Sequence, residues 1–298
     1  MSDNMLSNLL YRLRVPNIVG SSLFAFTGLI LNLRQPHTFE MYRALLIVLS
    51  MIFFNIFIWI SNDYYDAPYD AADAYKRARN VFCGKSESRD YKIGMTLMVF
   101  SILSGLISGW FAGLIYFLFA VAGMLLAYFY NSPIFRAKSR IGFDWIFHVI
   151  WFQITFLPLY LYIFGFDVIW GLETKHIQFY CVFLSISLLS LLAQINHQIP
   201  DYSLDLHTEQ RTTVVALGIE ITLKLRYIFY FSISIAVFIL CILNNTFIAL
   251  LMMIIYTLYM LKTDKTKAAD APLPWLYFFV LDYLILSPIL SNIFSILL

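Results

Sequence analysis

The sequence predicts an all-α, polytopic membrane protein with nine transmembrane helices. Three observations carry this. Of the 298 residues, 61% are hydrophobic and only 13% charged, against the roughly 25% charged residues with which a soluble domain solvates its surface. The apolar residues come in repeated runs near the ~20 residues that cross a ~30 Å hydrocarbon core. They do not alternate with polar residues as barrel strands do, and backbone groups in lipid must be satisfied within the chain, so helices remain. Lastly, Lys and Arg are distributed very unevenly among the loops.

The predicted spans lie near 17–33, 41–61, 93–109, 111–130, 145–164, 177–199, 225–243, 246–261 and 275–296. The third and fourth part at Gly109-Trp110 and the seventh and eighth at Asn244-Asn245, both read as tight turns. With these spans, 17 of the 20 Lys and Arg fall in alternate loops on one side, the bias that the positive-inside rule expects. The N-terminus and the two long polar loops, 62–92 and 200–224, are then cytoplasmic, and the C-terminus is outside. The start, MSDNMLSNLLYRLRVPN, is polar and then basic, without the short apolar core and small-residue cleavage site of a signal peptide. The expectation is a single domain over 1–298 in the cell (inner) membrane.

Both long loops open on aspartates. In SNDYYDAPYDAADAYKRARN, residues 61–80, Asp63, Asp66, Asp70 and Asp73 are spaced i, i+3, i+7, i+10. On a continuous helix they share one face within roughly 80°, although Pro68 predicts a kink or break by removing a helical hydrogen bond. Like charges on one face repel, so a solvated helix end is the bland reading for two aspartates and a bound cation the reading for four. In AQINHQIPDYSLDLHTEQRTT, Asp201 and Asp205 are i, i+4, and Gln194 and Gln198 fall on the same face. Polar residues deep in an apolar span are costly and face a cavity or each other.

Carboxylate oxygens suit Mg²⁺, which keeps several waters and takes one or two carboxylates plus substrate phosphates. Lys76, Arg77, Arg79 and Arg211 stand nearby in sequence to neutralise phosphate oxygens. Carboxylates, Mg²⁺ and bases at the lip of a hydrophobic chamber describe a site for a lipid-linked diphosphate.

These residues resemble a known family. N-D-x-x-D-x-x-x-D at Asn62–Asp70 and D-x-x-x-D at Asp201–Asp205 are similar to the two signature motifs of the UbiA-type intramembrane prenyltransferases. Arg211-Thr212 and Leu217-Gly218 continue the second motif as in the family, and Arg79 through Gly84 echo its basic-then-Gly segment. YFYNSPIFRAKSRIGFD matches its Tyr-x-x-Pro…Lys stretch, with Tyr130, Pro133, Lys138 and Asp144 in place, and RLRVPN is also similar. The chain departs from the pattern at Leu206, Glu209 and Asn80. QIPD before the second motif looks more like the carotenoid-prenylating members of the lycopene elongase type.

The resemblance implies a fold of nine helices around a central hydrophobic chamber and an activity: Mg²⁺-dependent transfer of an isoprenyl group from a prenyl diphosphate to a lipophilic acceptor. It implies that Asp63, Asp66, Asp70, Asp201 and Asp205 hold the metals. Asn62, Arg77, Arg79, Tyr130, Lys138, Gln198 and Arg211 then bind the diphosphate substrate. Charge on the departing diphosphate is stabilised by metal and cationic side chains, and a dry chamber protects the carbocation from water. The 28 Phe, 20 Tyr and 6 Trp supply faces for a cation, but membrane helices use aromatics for packing anyway.

The competing class is a transporter, since intramembrane acids mark ion routes. Transporters, however, gather binding groups near the midplane within inverted repeats, whereas here the acids collect at one mouth beside bases and no repeat is visible. Cys83, Cys181 and Cys241 are widely spaced and imply neither metal nor disulfide. His197 and His207 read as loop or packing residues, Gly105-x-x-x-Gly109 as close helix packing, and Asp282 as chamber-lining or internally paired. A net charge of +2, with bases that follow topology, implies no nucleic-acid partner.

Overall fold

The structure is a computed structural model and describes residues 8–32, 38–207 and 210–244. Among these residues every regular element is helical. Six helices are long and apolar enough to cross a membrane, and a shorter apolar helical stretch runs over Val15–Leu29. The eighth and ninth expected spans and Asp282 lie outside the described residues.

The first expected span is a broken helix. Helix α1 (Val15–Ser22) gives way to a 3₁₀ turn at Leu23–Phe26 and then to α2 (Thr27–Asn32). Ser21 Oγ bonds back to the carbonyls of Asn17 and Ile18 at 3.0 and 3.1 Å, and such back-bonding loosens the α ladder where the tighter turn begins.

Helix α3 (Met41–Asp70) has 30 residues, about 45 Å of helix. It therefore outruns the hydrocarbon core and carries the first motif at its projecting end. The expected break at Pro68 does not occur: the proline forfeits one hydrogen bond in the last turn, where the helix is already ending, and α3 continues through it to Asp70. Asp73 leaves the face of the other three. It caps α4 (Ala74–Arg79), accepting from Lys76 N at 2.8 Å. A 3₁₀ turn at Val81–Cys83 is capped in turn by Asn80, which accepts from Phe82 N at 2.8 Å.

Helix α5 (Arg89–Ala112) starts at the Ser88 cap and α6 (Leu114–Asn131) follows after one residue. The turn falls at Gly113, whose φ of 134° suits only glycine, and not at Gly109-Trp110. Gly109 is instead buried against α6, where a Cβ would meet Phe117 Cα at 3.1 Å, and a Cβ on Gly105 would meet Met124 Cε at 2.8 Å. Both glycines thus serve close packing within the bundle, as small residues do between membrane helices.

Helix α7 (Phe143–Phe164), a 3₁₀ turn at Phe166–Ile169 and α8 (Thr174–His207) follow. Like α3, α8 is long (34 residues), contains a proline near its end (Pro200) and carries its aspartates on the last turns. After α9 (Thr213–Leu217), Gly218 turns the chain at φ 78° into α10 (Ile219–Asn244).

The described residues fall into two compact units. Those of the first come from within Met1–Gly28, Thr38–Lys138 and Ile154–Ile163. Its core is α3, with Ile47, Met51, Phe54, Ile58 and Ile60 at most 2% exposed. Polar groups there are bonded: Ser50 Oγ donates to Gly105 O at 2.8 Å, and Asn131 Nδ2 to Ile58 O and Ser61 Oγ at 3.2 and 3.1 Å. The described residues of the second come from within Leu29–His37, Ser139–Gln153 and Phe164–Leu298. Ile195, Ile199 and Val214 are buried there, packed by Trp145, Leu223 and Phe229, and Gln153 Nε2 donates to Phe183 O and Ser187 Oγ at 3.0 and 2.8 Å.

Candidate active site

The first motif forms an ion-pair cluster at the end of α3. Asp63 is fully buried, and both its oxygens accept from Arg14: Nε at 3.1 and 3.0 Å, Nη2 at 2.8 Å. One turn on, half-buried Asp66 accepts from Lys138 Nζ at 2.6 Å on one oxygen and from Arg136 Nη2 at 3.3 Å on the other. Lys138 Nζ also donates to Asn62 Oδ1 at 2.9 Å and approaches Asn131 Oδ1 at 3.5 Å. Asp70 accepts from Asn80 Nδ2 at 2.9 Å, and the same amide reaches the Asp63 carbonyl at 2.7 Å. Three carboxylates on one helix face are thus offset by two arginines, a lysine and an amide, which answers the repulsion that the spacing implies.

Two of these cations stand on unusual backbone. Arg14 and Arg136 are the non-glycine residues with positive φ among the described residues, at 60° and 47°. Such a conformation costs about 1–3 kcal/mol and gathers at functional sites. Each of the two bonds an aspartate of the first motif.

The side chains also shift one another's protonation. Burial pushes the Lys138 ammonium below the ordinary lysine range, with Asp66 pulling the other way. Burial, helped by Arg14, likewise lowers Arg79. Burial opposes the Arg14 charge too, but the bond to Asp63 and the negative charges of Asp63, Asp70 and Asp66 together outweigh it and hold the guanidinium above its usual value. Arg79 sits 5.0 Å over the Tyr11 ring and 3.5 Å from Asn17 Oδ1. The N-terminal segment is fastened again where Arg12 pairs with Asp90.

The second motif lies in the other unit. Asp201 is half-buried and Asp205 buried. Thr212 Oγ1 donates to Asp205 Oδ2 at 3.4 Å, and Gln210 N to the Asp205 carbonyl at 2.9 Å. Gln194 and Gln198 are buried beneath them. Gln198 Nε2 donates to Asp144 Oδ2 at 2.7 Å, and its Oε1 accepts from Trp145 Nε1 at 3.2 Å.

Of the predicted site residues, the structure brings Asn62, Asp63, Asp66, Asp70 and Lys138 into one network. Gln198 joins the interior beneath Asp201 and Asp205. Tyr130 is buried at the end of α6, while Arg77 and Arg211 are exposed. Sequence reasoning did not single out Arg14, Arg136 or Asn80 as partners of the aspartates. Arg14 lies within RLRVPN and Arg136 two residues before Lys138, so the signal was there. Asn80 stands out in the sequence only as a departure from the family pattern, and its amide ties Asp70 to the Asp63 carbonyl.

Among the described residues no three His, Cys, Asp or Glu side chains form a closed metal cage. A hard divalent cation such as Mg²⁺ needs none, since waters and substrate oxygens complete its shell. Asp66 and Asp70, half-buried oxygen donors at i, i+4, fit such an ion. Asp63 is paired on both oxygens with Arg14, as Asp66 is with Lys138 and Arg136.

A family model described as the UbiA prenyltransferase family matches residues 21–281. The chain belongs to this family and is a membrane-embedded prenyltransferase, which decides against the transporter reading. No match was found among curated protein sequences. Among solved structures, a UbiA homolog from Archaeoglobus fulgidus bound to GPP and Mg²⁺ is similar over 93% of this chain and 96% of its own, with a TM-score of 0.67 and 16% identity. The same homolog bound to DMAPP and Mg²⁺ gives 0.65 and 17% over the same shares. A structure from work on digeranylgeranylglyceryl phosphate synthase in membranes gives 0.59 and 16%, again over 93% and 96%. At such identities the likeness establishes the fold.

Proposed function

We propose that this chain, working as one domain, transfers an isoprenyl group from a prenyl diphosphate to a lipophilic acceptor within the membrane, with Mg²⁺ held by its aspartate motifs. The observation that carries this is the pairing of Asp66 with Lys138 and Arg136, one turn before Asp70 at the projecting end of α3. Carboxylates for a metal and cations for a diphosphate stand there on adjacent elements. The family's homologs with GPP or DMAPP and Mg²⁺ support the same chemistry here.

In this reading Asp63, Asp66, Asp70, Asp201 and Asp205 are the metal-holding carboxylates. Asp63 also holds Arg14 and with it the N-terminal segment. Mg²⁺ supplies positive charge against the departing diphosphate. Lys138, Arg136, Arg79, Arg77 and Arg211 supply further positive charge at the phosphate oxygens, Asn62 orients Lys138, and Tyr130 and Gln198 complete the binding groups. The allylic carbon–oxygen bond breaks with its electron pair leaving on the diphosphate. The acceptor forms the new carbon bond and gives up a proton. The aspartate loops and N-terminus face the cytoplasm, where a soluble diphosphate head is available. The acceptor is neutral and largely apolar, a polyene ahead of an aromatic ring.

The test is binding and turnover with detergent-solubilised protein. Labelled prenyl diphosphate is expected to bind only with Mg²⁺, to be released by chelation, and to yield a prenylated lipid with added acceptor. Absence of metal-dependent binding overturns the reading.

A further inference from the structure

The carboxylate of Asp144 lies in the second unit and in none of the aspartate motifs. It is the second residue of α7, is 0% exposed, and is saturated with donors. Oδ2 accepts from Gln198 Nε2 at 2.7 Å and from Thr213 N at 2.8 Å. Oδ1 accepts from Trp145 N at 3.0 Å and from the Thr213 hydroxyl. The Thr213 hydroxyl oxygen accepts in turn from Gly142 N at 2.7 Å.

These partners bracket the second motif. Gln198 lies three residues before Asp201 on α8, and Thr213 opens α9 just past Asp205. Next to Thr213, Thr212 bonds the Asp205 carboxylate. The chain from Gln198 to Thr213 is therefore pinned at both ends on a single carboxylate. Its four donors are all neutral groups, unlike the Arg and Lys that hold the first motif. A network whose members are all satisfied fixes geometry more firmly than separate bonds do, and groups behind a metal ligand set that ligand's direction.

We propose that Asp144 is a positioning residue for the second aspartate motif: by clamping Gln198 before it and Thr213 after it, Asp144 fixes the orientation in which Asp201 and Asp205 meet the metal. The proposal rests on the function proposed above. It separates Asp144 from a mere staple of the fold, because a staple contributes stability without setting metal affinity.

The experiment uses the full chain in lipid, with native cysteines replaced and a nitroxide on Ser203→Cys, an exposed position between the two aspartates. The variants are Asp144→Asn, which keeps the shape but turns two donors against an NH₂, and Thr213→Val, which removes the hydroxyl and keeps the backbone N–H. A mobile component is expected in the nitroxide spectrum of both variants without any ligand. The Mg²⁺ concentration that half-saturates GPP turnover rises about 10–100-fold, and the rate at saturating Mg²⁺ recovers. An unchanged spectrum, or a mobile one with wild-type metal dependence, overturns the positioning role. If Asp144→Asn does not accumulate folded, Thr213→Val is read alone by the same criteria. Failure of the underlying function is distinguishable: the wild-type chain then shows no Mg²⁺-dependent turnover, whatever the nitroxide reports.

Discussion

Arg14 closes on both carboxylate oxygens of Asp63, with N–O distances between 2.8 and 3.1 Å. Asp63 is fully buried and Arg14 retains only 15% of its side-chain exposure. The pair ties the segment before α1 to the end of α3. Leu13, Ile60, Val81 and Phe82 pack as a buried cluster beside it. A buried pair of this kind is weak evidence of net stabilisation, because desolvation offsets the attraction, yet removing one partner strands the other charge. Arg14→Ala is therefore expected to destabilise the protein by about 3–5 kcal/mol, and Arg14→Leu with Asp63→Leu to recover most of the loss. Equilibrium unfolding in mixed micelles measures both. Wild-type stability for Arg14→Ala contradicts the pairing.

Asp66 and Asp201, one from each motif, are both metal-holding carboxylates in the proposed function. Replacing either by Ala is expected to lower turnover by about 10²–10³-fold, the scale of losing one group that stabilises transition-state charge. The variants remain folded and membrane-inserted, as gel filtration and thermal unfolding would report. Near wild-type rates for both at saturating Mg²⁺ would remove the two-motif site.

Lys138 touches Asn62 and Asp66 and is 11% exposed. In the proposed function its ammonium would bind a phosphate oxygen once a metal shares Asp66. Lys138→Met is expected to raise KM for the prenyl diphosphate by about 10–100-fold, the worth of one hydrogen bond to a charged group. Asn62→Ala loses less, since it removes only a neutral partner of the lysine. Steady-state kinetics with varied diphosphate decides between them, and equal effects of the two substitutions count against the assigned roles.

Much of this was legible from spacing. Apolar runs of near-membrane length located the six long described helices, and i, i+3, i+7 placed Asp63, Asp66 and Asp70 on one face. What spacing did not display is the partner of each carboxylate. Arg14 is 49 residues from Asp63 and Arg136 70 residues from Asp66, and their left-handed backbone is a product of tertiary packing that no local pattern encodes. Pro68 does not break α3 because its cost depends on position: in mid-helix it breaks the ladder, but in the last turn it forfeits one bond. Gly109 misled for the opposite reason. A glycine between two apolar runs reads as a turn, yet this one lies where two helices touch, and the turn belongs to Gly113.

The charge bias predicts a sidedness that labelling can test. Ser86 lies in the loop that carries the first motif and Glu173 in the loop before α8; both are exposed. Cysteines introduced at 86 and 173 are expected to react with an impermeant maleimide from opposite faces of sealed vesicles, 86 from the cytoplasmic face. Labelling of both from one face would break the topology, because the three helices α5, α6 and α7 separate them.

The acceptor is the remaining choice. Head-group chemistry selects the diphosphate, whereas the acceptor is selected by the shape and polarity of the apolar part of the bundle. A strongly anionic acceptor such as a glycerol phosphate needs a base cluster of its own, because an unpaired phosphate in a low-dielectric site is prohibitively costly. On the topology expected from the sequence, 17 of the 20 Lys and Arg fall instead in the loops of one side, the side of the aspartates. QIPD ahead of the second motif adds the lean toward a polyene. The expected product is therefore a prenylated neutral lipid, with a long carotenoid-type polyene accepted in preference to an aromatic ring. Purified enzyme in lipid, Mg²⁺, prenyl diphosphates of C5 to C20 and a panel of polyene, hydroxybenzoate, naphthoate and glycerol phosphate acceptors decide this by product mass. A product formed only with a hydroxybenzoate or naphthoate ring would reverse the polyene preference and keep the reaction class. A product formed only with glycerol phosphate would overturn the charge argument itself.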